Sequence, residues 1–429
     1  MQDLPRSPGS MRATSLMRAV LGMEHTRVTG VEISETAVIV DVAAATRVAR
    51  CGGCGCRSRR VYDARTRTWR HLDVAGVEAN LRCRLRRVDC ARCGVTTELV
   101  PWAEPGSGFT REFEDVVAFL AQRMDKTSVT ELMGIAWRTV GRIIERVVGR
   151  RAPFDLLEGL THISIDELSY RKRHKYVTVV TDLKKSRVIW VSPGKNADTV
   201  KSFFDALGTE RTAQLELVAI DMSAAYIEAV REKAPKARLV FDRFHVQRLA
   251  HDAVDQVRRE QVRELRQVDP EAAKSLKQTR FVLQKNPWNL TQPESERLSE
   301  LQRRNQPVYR AYLLKESLCD ILDHRQPNVA RGKLLEWCEW AERSRLEPFR
   351  KVAGTVKSHI EGIVDYVRTR WTTAISEGKN GKIRTITRRS FGFHDVSALI
   401  AMIFLCCSNI RIPLPHKPPR FNEIRLWPA

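Results

Sequence analysis

The sequence predicts a multidomain α+β protein, in which a small cysteine-bearing β module precedes a three-helix unit and a mixed α/β domain. Three observations support this fold class. The 429 residues exceed one ordinary domain of about 100–200 residues. Two C-x-x-C pairs lie close together, and regular alternation of strand and helix patterns begins only near residue 161. With 43 % hydrophobic residues, the chain can bury folded cores.

The composition is strongly basic. The chain has 73 Lys and Arg against 51 Asp and Glu, a formal net charge of +22. Residues 49–100 contain 12 basic and 5 acidic residues, and residues 366–429 contain 11 and 3. This charge predicts a polyanionic partner, with nucleic acid as the first candidate.

The apolar segments argue against a membrane or secreted protein. The longest apolar run, 398–407, is too short for a span, which needs roughly 18 residues or more. The first 22 residues lack the apolar segment of a secretory signal. We therefore expect a cytoplasmic, nucleoid-associated protein with no membrane partner.

The first predicted module is built around cysteines. Cys51 and Cys54 form one C-x-x-C pair, Cys90 and Cys93 form a second, and 35 residues separate the pairs. Two such turns can complete one tetrahedral Zn²⁺ site, and the intervening residues favour short antiparallel strands, as in a zinc ribbon. A redox C-x-x-C motif is the alternative. Three further residues are spare candidate ligands: Cys56, Cys83 and His71.

Three helices are predicted next. Residues 112–123 are periodic, Thr127 or Ser128 can cap a short second helix, and Gly134 makes the turn into a helix over 136–148. A short helix, a glycine turn and a basic helix are typical of a helix-turn-helix, with an ordinary three-helix packing unit as the alternative. The candidate DNA contacts of the two N-terminal modules are Arg84, Arg86, Arg87, Arg138, Thr139 and Arg142.

Strands and helices then alternate. Strands at 161–166, 175–182 and 187–192 are expected to form a meander. Strands at 215–221 and 237–241, each reached through a helix, should extend the same sheet in parallel. Residues 270–365 lack any strand pattern and contain long helical stretches, which indicates a helical segment within this domain.

Two aspartates end apolar strands in this pattern. We expect Asp166 and Asp221 to face one crevice, because charged groups at the carboxyl ends of neighbouring parallel strands point the same way. With Glu377 as a third carboxylate, they could hold two Mg²⁺ ions about 3.5–4 Å apart, an arrangement suited to phosphodiester chemistry. The alternative for any single strand-end aspartate is a cap or turn.

Several neighbours of these carboxylates are also candidates. Asp242 and His245 either support the site or contact DNA, or else cap the next helix and pack against the sheet. Trp288 either stacks on an unpaired base or is packed. A basic stretch around and beyond Glu377 either follows phosphates or is a solvated face. Its candidate DNA contacts are Lys379, Lys382, Arg384, Arg388 and Arg389.

Taken together, these motifs resemble the ISL-three family of insertion-sequence transposases, a branch of the Asp-Asp-Glu transposases. The double C-x-x-C before a helix-turn-helix is similar to that family's N-terminal zinc finger. The remaining motifs that carry the resemblance are Ile163-Ser-Ile-Asp166-Glu167, Asp221-Met-Ser-Ala-Ala-Tyr226, Ala237-Arg-Leu-Val-Phe-Asp242-Arg-Phe-His245, Lys285-Asn-Pro-Trp288-Asn-Leu290 and Ser376-Glu377-Gly378-Lys379-Asn380-Gly381-Lys382-Ile383.

The resemblance implies a ribonuclease-H-like catalytic fold interrupted by an all-α insertion. It implies that Asp166, Asp221 and Glu377 bind Mg²⁺ or Mn²⁺, and that the protein binds terminal inverted repeats, cleaves the element's ends and joins them to target DNA. Synapsis of two ends leads us to expect a homodimer or larger assembly. A catalytically decayed DNA-binding regulator and another ribonuclease-H-like DNA nuclease are the alternatives.

On this basis the chain is divided into seven segments. We expect a partly disordered N-terminus and a basic, Pro-rich tail to flank five folded segments. The segments are a partly disordered N-terminus at 1–26, a zinc-finger module at 27–105, a helix-turn-helix at 106–155, the first catalytic part at 160–268, a helical insertion at 269–365, the second catalytic part with the Glu helix at 366–412, and the tail at 413–429.

Overall fold

A computed structural model describes residues 12–152, 155–171, 175–390, 393 and 395–414. The chain forms two compact units, the first comprising Met1–Pro153 with Phe393–Ala429 and the second comprising Phe154–Gly392. The predicted segment 366–412 is thus divided between them. No helix within the described ranges is long and apolar enough to cross a bilayer.

The described residues contain twelve strands and seventeen α-helices. The strands are β1 (Thr26–Ile33), β2 (Ala37–Ala44), β3 (Ala49–Arg50), β4 (Arg57–Ser58), β5 (Val61–Arg70), β6 (Glu78–Cys90), β7 (Gly94–Thr97), β8 (His162–Arg171), β9 (Lys175–Asp182), β10 (Arg187–Pro193), β11 (Leu217–Ile220) and β12 (Arg238–Phe241). The helices are α1 (Ala13–Leu21), α2 (Arg111–Ala121), α3 (Lys126–Met133), α4 (Trp137–Arg151), α5 (Ala197–Leu207), α6 (Thr209–Thr212), α7 (Ala224–Lys233), α8 (Arg243–Val268), α9 (Pro270–Lys277), α10 (Arg280–Gln284), α11 (Gln292–Arg304), α12 (Gln306–Asp323), α13 (Pro327–Arg343), α14 (Glu347–Ser358), α15 (Ile360–Thr369), α16 (Ala374–Arg389) and α17 (Val396–Cys407).

The sheet of the first unit has the order β1-β2-β6-β5, and β7 pairs with β6. Strands β1 and β2 form an antiparallel pair, whereas β2 and β6 pair in parallel. Alternate residues of β2 and β6 are buried, so one face of the sheet forms a core. In that core Trp69 packs edge-on against Trp102, with ring centroids 5.6 Å apart.

The prediction of a partly disordered N-terminus at 1–26 can be compared with the structure only from residue 12 onward. Residues 1–11 lie outside the described residues, as does 415–429 of the predicted tail. Residues 13–21 form α1, an element that we did not predict. Met17 of α1 is buried in the same core as the sheet, which explains why this segment is ordered as a helix.

Helices α2, α3 and α4 form the predicted three-helix unit. The cap of α3 is Asp125 rather than Thr127 or Ser128, because the Asp125 carboxylate accepts the backbone N–H of Ser128 at 3.0 Å. Gly134 ends α3 with a left-handed φ of 60°. Helix α17 packs against α4, within the same unit.

The second unit contains a five-stranded sheet of order β10-β9-β8-β11-β12. Strands β10, β9 and β8 are antiparallel neighbours, and β8, β11 and β12 are parallel neighbours. The prediction of a meander extended by parallel strands is confirmed. One boundary was wrong: β8 continues to Arg171, so Asp166 lies within the strand and not at its end, because β9 pairs with β8 along its whole length.

Residues 243–369 are helical. Helix α8 packs against α9, α12 and α14. Within the predicted helical segment 270–365, α11 and α12 meet at Asn305, whose side chain accepts the backbone N–H of Val308 at 3.1 Å. Helices α13, α14 and α15 follow. These helices share one buried core with the sheet of this unit.

Candidate functional site

Strand register brings aspartates together at one edge of the second sheet. Ala219 of β11 lies opposite Ser164 of β8 on one side and Val240 of β12 on the other. Continued by two residues, the same register brings three aspartates to one level: Asp166, Asp221 and Asp242. The β8–β11 ladder ends at the pair formed by Ser164 and Ala219, so Asp166 lies beyond its last pair although β8 continues.

Helix α16 adds the fourth carboxylate. Its buried face repeats every three or four residues, at Ser376, Asn380, Ile383 and Ile386. The Ser376 hydroxyl contacts the hydroxyl of Ser164, so this face lies along β8. Glu377 follows Ser376 directly and is half-buried, near enough to Asp242 and Asp166 for their charges to act on it.

In this cluster, the negative charge of one carboxylate raises the pKa of its neighbours. Burial raises the pKa of Asp166, and the negative charge of Asp221 raises it further. Burial and the charge of Asp242 raise the pKa of Glu377. Burial and the charges of Asp221 and Asp166 raise the pKa of Glu167 to about 7. Oxygen ligands are the kind that a divalent cation prefers. Among the described residues, however, the four cysteines considered below are the group whose ligand atoms all lie within 4.8 Å of one another.

Asp242 has its two oxygens engaged. One accepts the backbone N–H of Phe244 and the other accepts the backbone N–H of Thr373, both at 3.2 Å. The interpretation of Asp242 as the cap of the next helix is confirmed, and the second bond also ties β12 to the N-terminus of α16. The charge of His245 lowers the pKa of both Asp166 and Glu377, so His245 lies near this cluster.

The four cysteines of the two C-x-x-C pairs converge in the first unit. The Sγ atoms of Cys51, Cys54, Cys90 and Cys93 all lie within 4.8 Å of one another. A tetrahedral Zn²⁺ with Zn–S bonds of about 2.3 Å separates its sulfurs by about 3.8 Å. A Cβ added at Gly53 would lie 3.0 Å from Sγ of Cys93, so a side chain at this position would crowd the thiol group. The thiols fit one structural zinc.

The spare zinc candidates lie elsewhere. Cys83 is buried in the core of the first sheet, and burial raises its pKa to about 11. Nδ1 of His71 lies 2.8 Å from the hydroxyl of buried Thr110. Cys56 neighbours Cys54 but lies outside the four-thiol group. The pairing of the two C-x-x-C motifs is therefore the arrangement that the fold supports.

Comparison with known proteins identifies relatives of this chain. A transposase family model matches residues 163–403, a model of the helix-turn-helix domain of transposase family ISL3 matches 98–148, and a model of a transposase zinc finger matches 47–93. The transposase for insertion sequence element IS1557 of Mycobacterium tuberculosis is 37 % identical over 446 aligned positions, covering 96 % of this chain and 100 % of that relative. The transposase for insertion sequence element IS1001 of Bordetella parapertussis is 30 % identical over 354, covering 81 % and 86 %. The chain belongs to the ISL3 family of transposases.

The ISL3 matches include the clusters described above. The zinc-finger match contains all four converging cysteines. The helix-turn-helix match contains α2, α3 and most of α4. The transposase match contains the sheet of the second unit together with α16, and hence Asp166, Asp221 and Glu377.

The basic residues predicted for the zinc-finger module of this ISL3 protein differ in their surroundings. Arg86 forms an ion pair with Glu98 at 2.6 Å, and its guanidinium also donates to the carbonyl of Arg47 at 2.9 Å. Arg87 forms an ion pair with Asp63. Arg84 is exposed and forms no ion pair with the described residues. Arg84 thus differs from Arg86 and Arg87, whose guanidinium groups are held by acidic side chains.

The other predicted DNA contacts lie on two helices. On α4, Arg138 and Arg142 are exposed and Thr139 is half-buried. On α16, exposed Arg384 and Arg388 follow Glu377 at spacings of seven and eleven residues, which places all three on one face. Lys382 is also exposed, whereas Lys379 and Arg389 are half-buried.

Sequence reasoning missed two features of the site. Asn380 donates from Nδ2 to Oδ2 of Asp166 at 2.5 Å, although its spacing of one helical turn from Glu377 could have indicated a role. Phe244, beside His245, is 52 % exposed, which no periodicity predicted. Trp288, for which packing was the alternative to base stacking, is 67 % exposed and is not packed.

Proposed function

We propose that this chain is the DNA transposase of a bacterial insertion sequence. Its first unit would bind the terminal inverted repeats, and its second would cleave the ends and join them to target DNA. The observation that best supports this proposal is the strand register that brings Asp166 and Asp221 to one level of the sheet, with the charge of Asp166 acting on Glu377, within the transposase match. The family, the zinc centre and the helix-turn-helix support the DNA partner.

We interpret the second unit as a ribonuclease-H-like catalytic domain with an all-α insertion. In support, a three-stranded antiparallel meander is extended by two parallel strands, and helices α9 to α15 lie in sequence between α8 and the Glu377 helix. After these helices the chain comes back to the sheet, where Ser376 of α16 contacts Ser164 of β8.

Asp166, Asp221 and Glu377 would hold two Mg²⁺ or Mn²⁺ ions. When bound, such ions promote deprotonation of the attacking water or 3′-hydroxyl and stabilise the leaving oxygen. Asp242 keeps the N-terminus of α16 at the sheet edge, so that Glu377 stays near the aspartates. Arg384 and Arg388, on the face of Glu377, would hold the phosphates that flank the reacting bond.

In the first unit, α4 would enter the major groove and present Arg138, Thr139 and Arg142. A single Zn²⁺ on the four cysteines would join the turn after β3 to the turn between β6 and β7. We further propose that the protein acts on DNA in the cytoplasm, as a dimer or larger assembly, because transposition brings two ends together.

The proposal is tested with DNA that carries the inverted repeats of the element. Asp221→Asn should abolish strand cleavage in Mg²⁺ while binding of the repeats in a gel-shift assay stays unchanged, because α4 and the zinc module are untouched. EDTA should stop cleavage by the unsubstituted protein. Cleavage by Asp221→Asn would overturn the assignment.

Two other outcomes would redirect the proposal. Repeat binding without any cleavage by the unsubstituted protein would indicate a regulator that has lost its catalytic activity. Cleavage without joined products, even when target DNA and cleaved 3′ ends are supplied, would indicate another nuclease of the same fold.

A further inference from the structure

Asn380 is a buried amide that contacts a carboxylate of the candidate metal site. Its side chain is 4 % exposed and donates from Nδ2 to Oδ2 of Asp166 at 2.5 Å. The other oxygen of Asp166 accepts the backbone N–H of Glu167 at 2.8 Å. Both carboxylate oxygens are thus oriented by N–H donors, and each keeps a lone pair for a further ligand.

The contact is one of two between α16 and β8 whose spacings along the helix and along the strand are nearly equal. Ser376 and Asn380 are one turn apart on α16, a rise of about 6 Å. Their partners Ser164 and Asp166 are two residues apart on one face of β8, a rise of about 6.6 Å. The two contacts therefore fix the height of α16 on the strand, and with it the position of Glu377.

We propose that Asn380 is a positioning residue, whose amide orients the Asp166 carboxylate for a divalent cation and holds Glu377 at its working distance. The inference rests on the proposed function, since it assumes that Asp166 binds Mg²⁺ or Mn²⁺. Partners that orient a metal ligand in this way are typically worth about 10–100-fold in metal affinity.

The chemistry of the side chain explains why an amide suits this position. A neutral N–H donor orients a carboxylate without competing with the cation for its charge. A Lys or Arg here would neutralise Asp166, and a purely apolar side chain would leave Oδ2 buried without its donor.

The test measures Mn²⁺ binding by the full-length protein, with free Mn²⁺ followed by electron paramagnetic resonance. Asn380→Leu keeps a similar volume without the donor, and Asn380→Ala removes the side chain. Both should weaken Mn²⁺ binding about 10–100-fold. Asn305→Ala is the matched control, because it also removes a buried asparagine of the same unit, but one that caps α12. Its Mn²⁺ affinity should be unchanged.

Each outcome is decisive. Unchanged Mn²⁺ affinity in a folded Asn380→Leu or Asn380→Ala protein would overturn the positioning role and leave the proposed function standing. Absence of Mn²⁺ binding by the unsubstituted protein would overturn both. Mn²⁺ binding that depends on Asn380, in a protein that does not cut repeat DNA, would support the positioning role and count against the transposase function.

Discussion

Arg86 of β6 forms a bidentate ion pair with Glu98, which directly follows β7, and the Glu98 side chain is only 6 % exposed. The carboxylate also accepts the backbone N–H of Arg86 at 2.8 Å. We predict that Arg86→Ala lowers the free energy of unfolding of the first unit by about 1–3 kcal/mol, because a buried carboxylate loses its charged partner. Urea denaturation followed by circular dichroism measures this.

Arg84→Ala is the matched change on the same strand. Arg84 is exposed, so the unfolding free energy should change by less than about 0.5 kcal/mol. Binding of repeat DNA should weaken. The slope of log affinity against log salt concentration should become shallower by about 1, the amount expected for the loss of one phosphate contact. An unchanged slope would move the phosphate contact of this module to another residue.

A second pair of arginines separates DNA contact from packing on α4. Arg142 is exposed, whereas Arg146, one turn later, donates to the fully buried Glu114 at 2.7 Å. Arg142→Ala should weaken repeat binding about tenfold or more and leave the unfolding curve in place. Arg146→Ala should lower stability by about 1–3 kcal/mol. Gel-shift titrations and urea curves on both variants distinguish the two roles, and a reversal of the effects would contradict the orientation of α4.

The zinc centre is tested by cysteine replacement and metal analysis. Cys90→Ala removes one of the four converging thiols, so the purified protein should lose its zinc, and the first unit should melt at a lower temperature. Cys83→Ala is the control, because that thiol lies in the core of the sheet. It should keep its zinc and lose only packing energy. Zinc retained by Cys90→Ala would show that another ligand takes its place.

Local patterns in the sequence predicted a large part of this fold. The periodicities of 3.6 and 2 gave the three-helix unit, the meander and the long helices, and the C-x-x-C spacing gave the thiols that converge. These features depend on residues that are close in sequence, so local patterns are enough to predict them.

Features that depend on distant partners could not be predicted. The boundary at Asp166 was wrong because β8 is extended by pairing with β9, a tertiary contact that no periodicity reports. The ion pairs of Arg86 and Arg87 depend on strand register, so in sequence both resembled free basic residues like Arg84. Asn380 meets Asp166 across 214 residues, and only the folded sheet and helix bring them together.

The last prediction concerns Asp242, which caps α8 and also accepts a hydrogen bond from the start of α16. Asp and Asn are nearly equivalent at exposed caps. Asp269→Asn, at the cap of α9 where the carboxylate accepts the N–H of Ala272, should therefore be almost neutral. Asp242→Asn keeps one oxygen for two donors, Phe244 and Thr373, and the site is only 2 % exposed.

Asp242→Asn should therefore lower the unfolding free energy of the second unit by about 1–3 kcal/mol. Strand cleavage should also slow, because releasing the N–H of Thr373 loosens the start of the helix that carries Glu377, and small displacements of reacting groups are costly. Urea denaturation and single-turnover cleavage on repeat DNA measure the two effects. If Asp242→Asn proved as harmless as Asp269→Asn, the hydrogen bond from Thr373 would not be what holds Glu377 beside the aspartates.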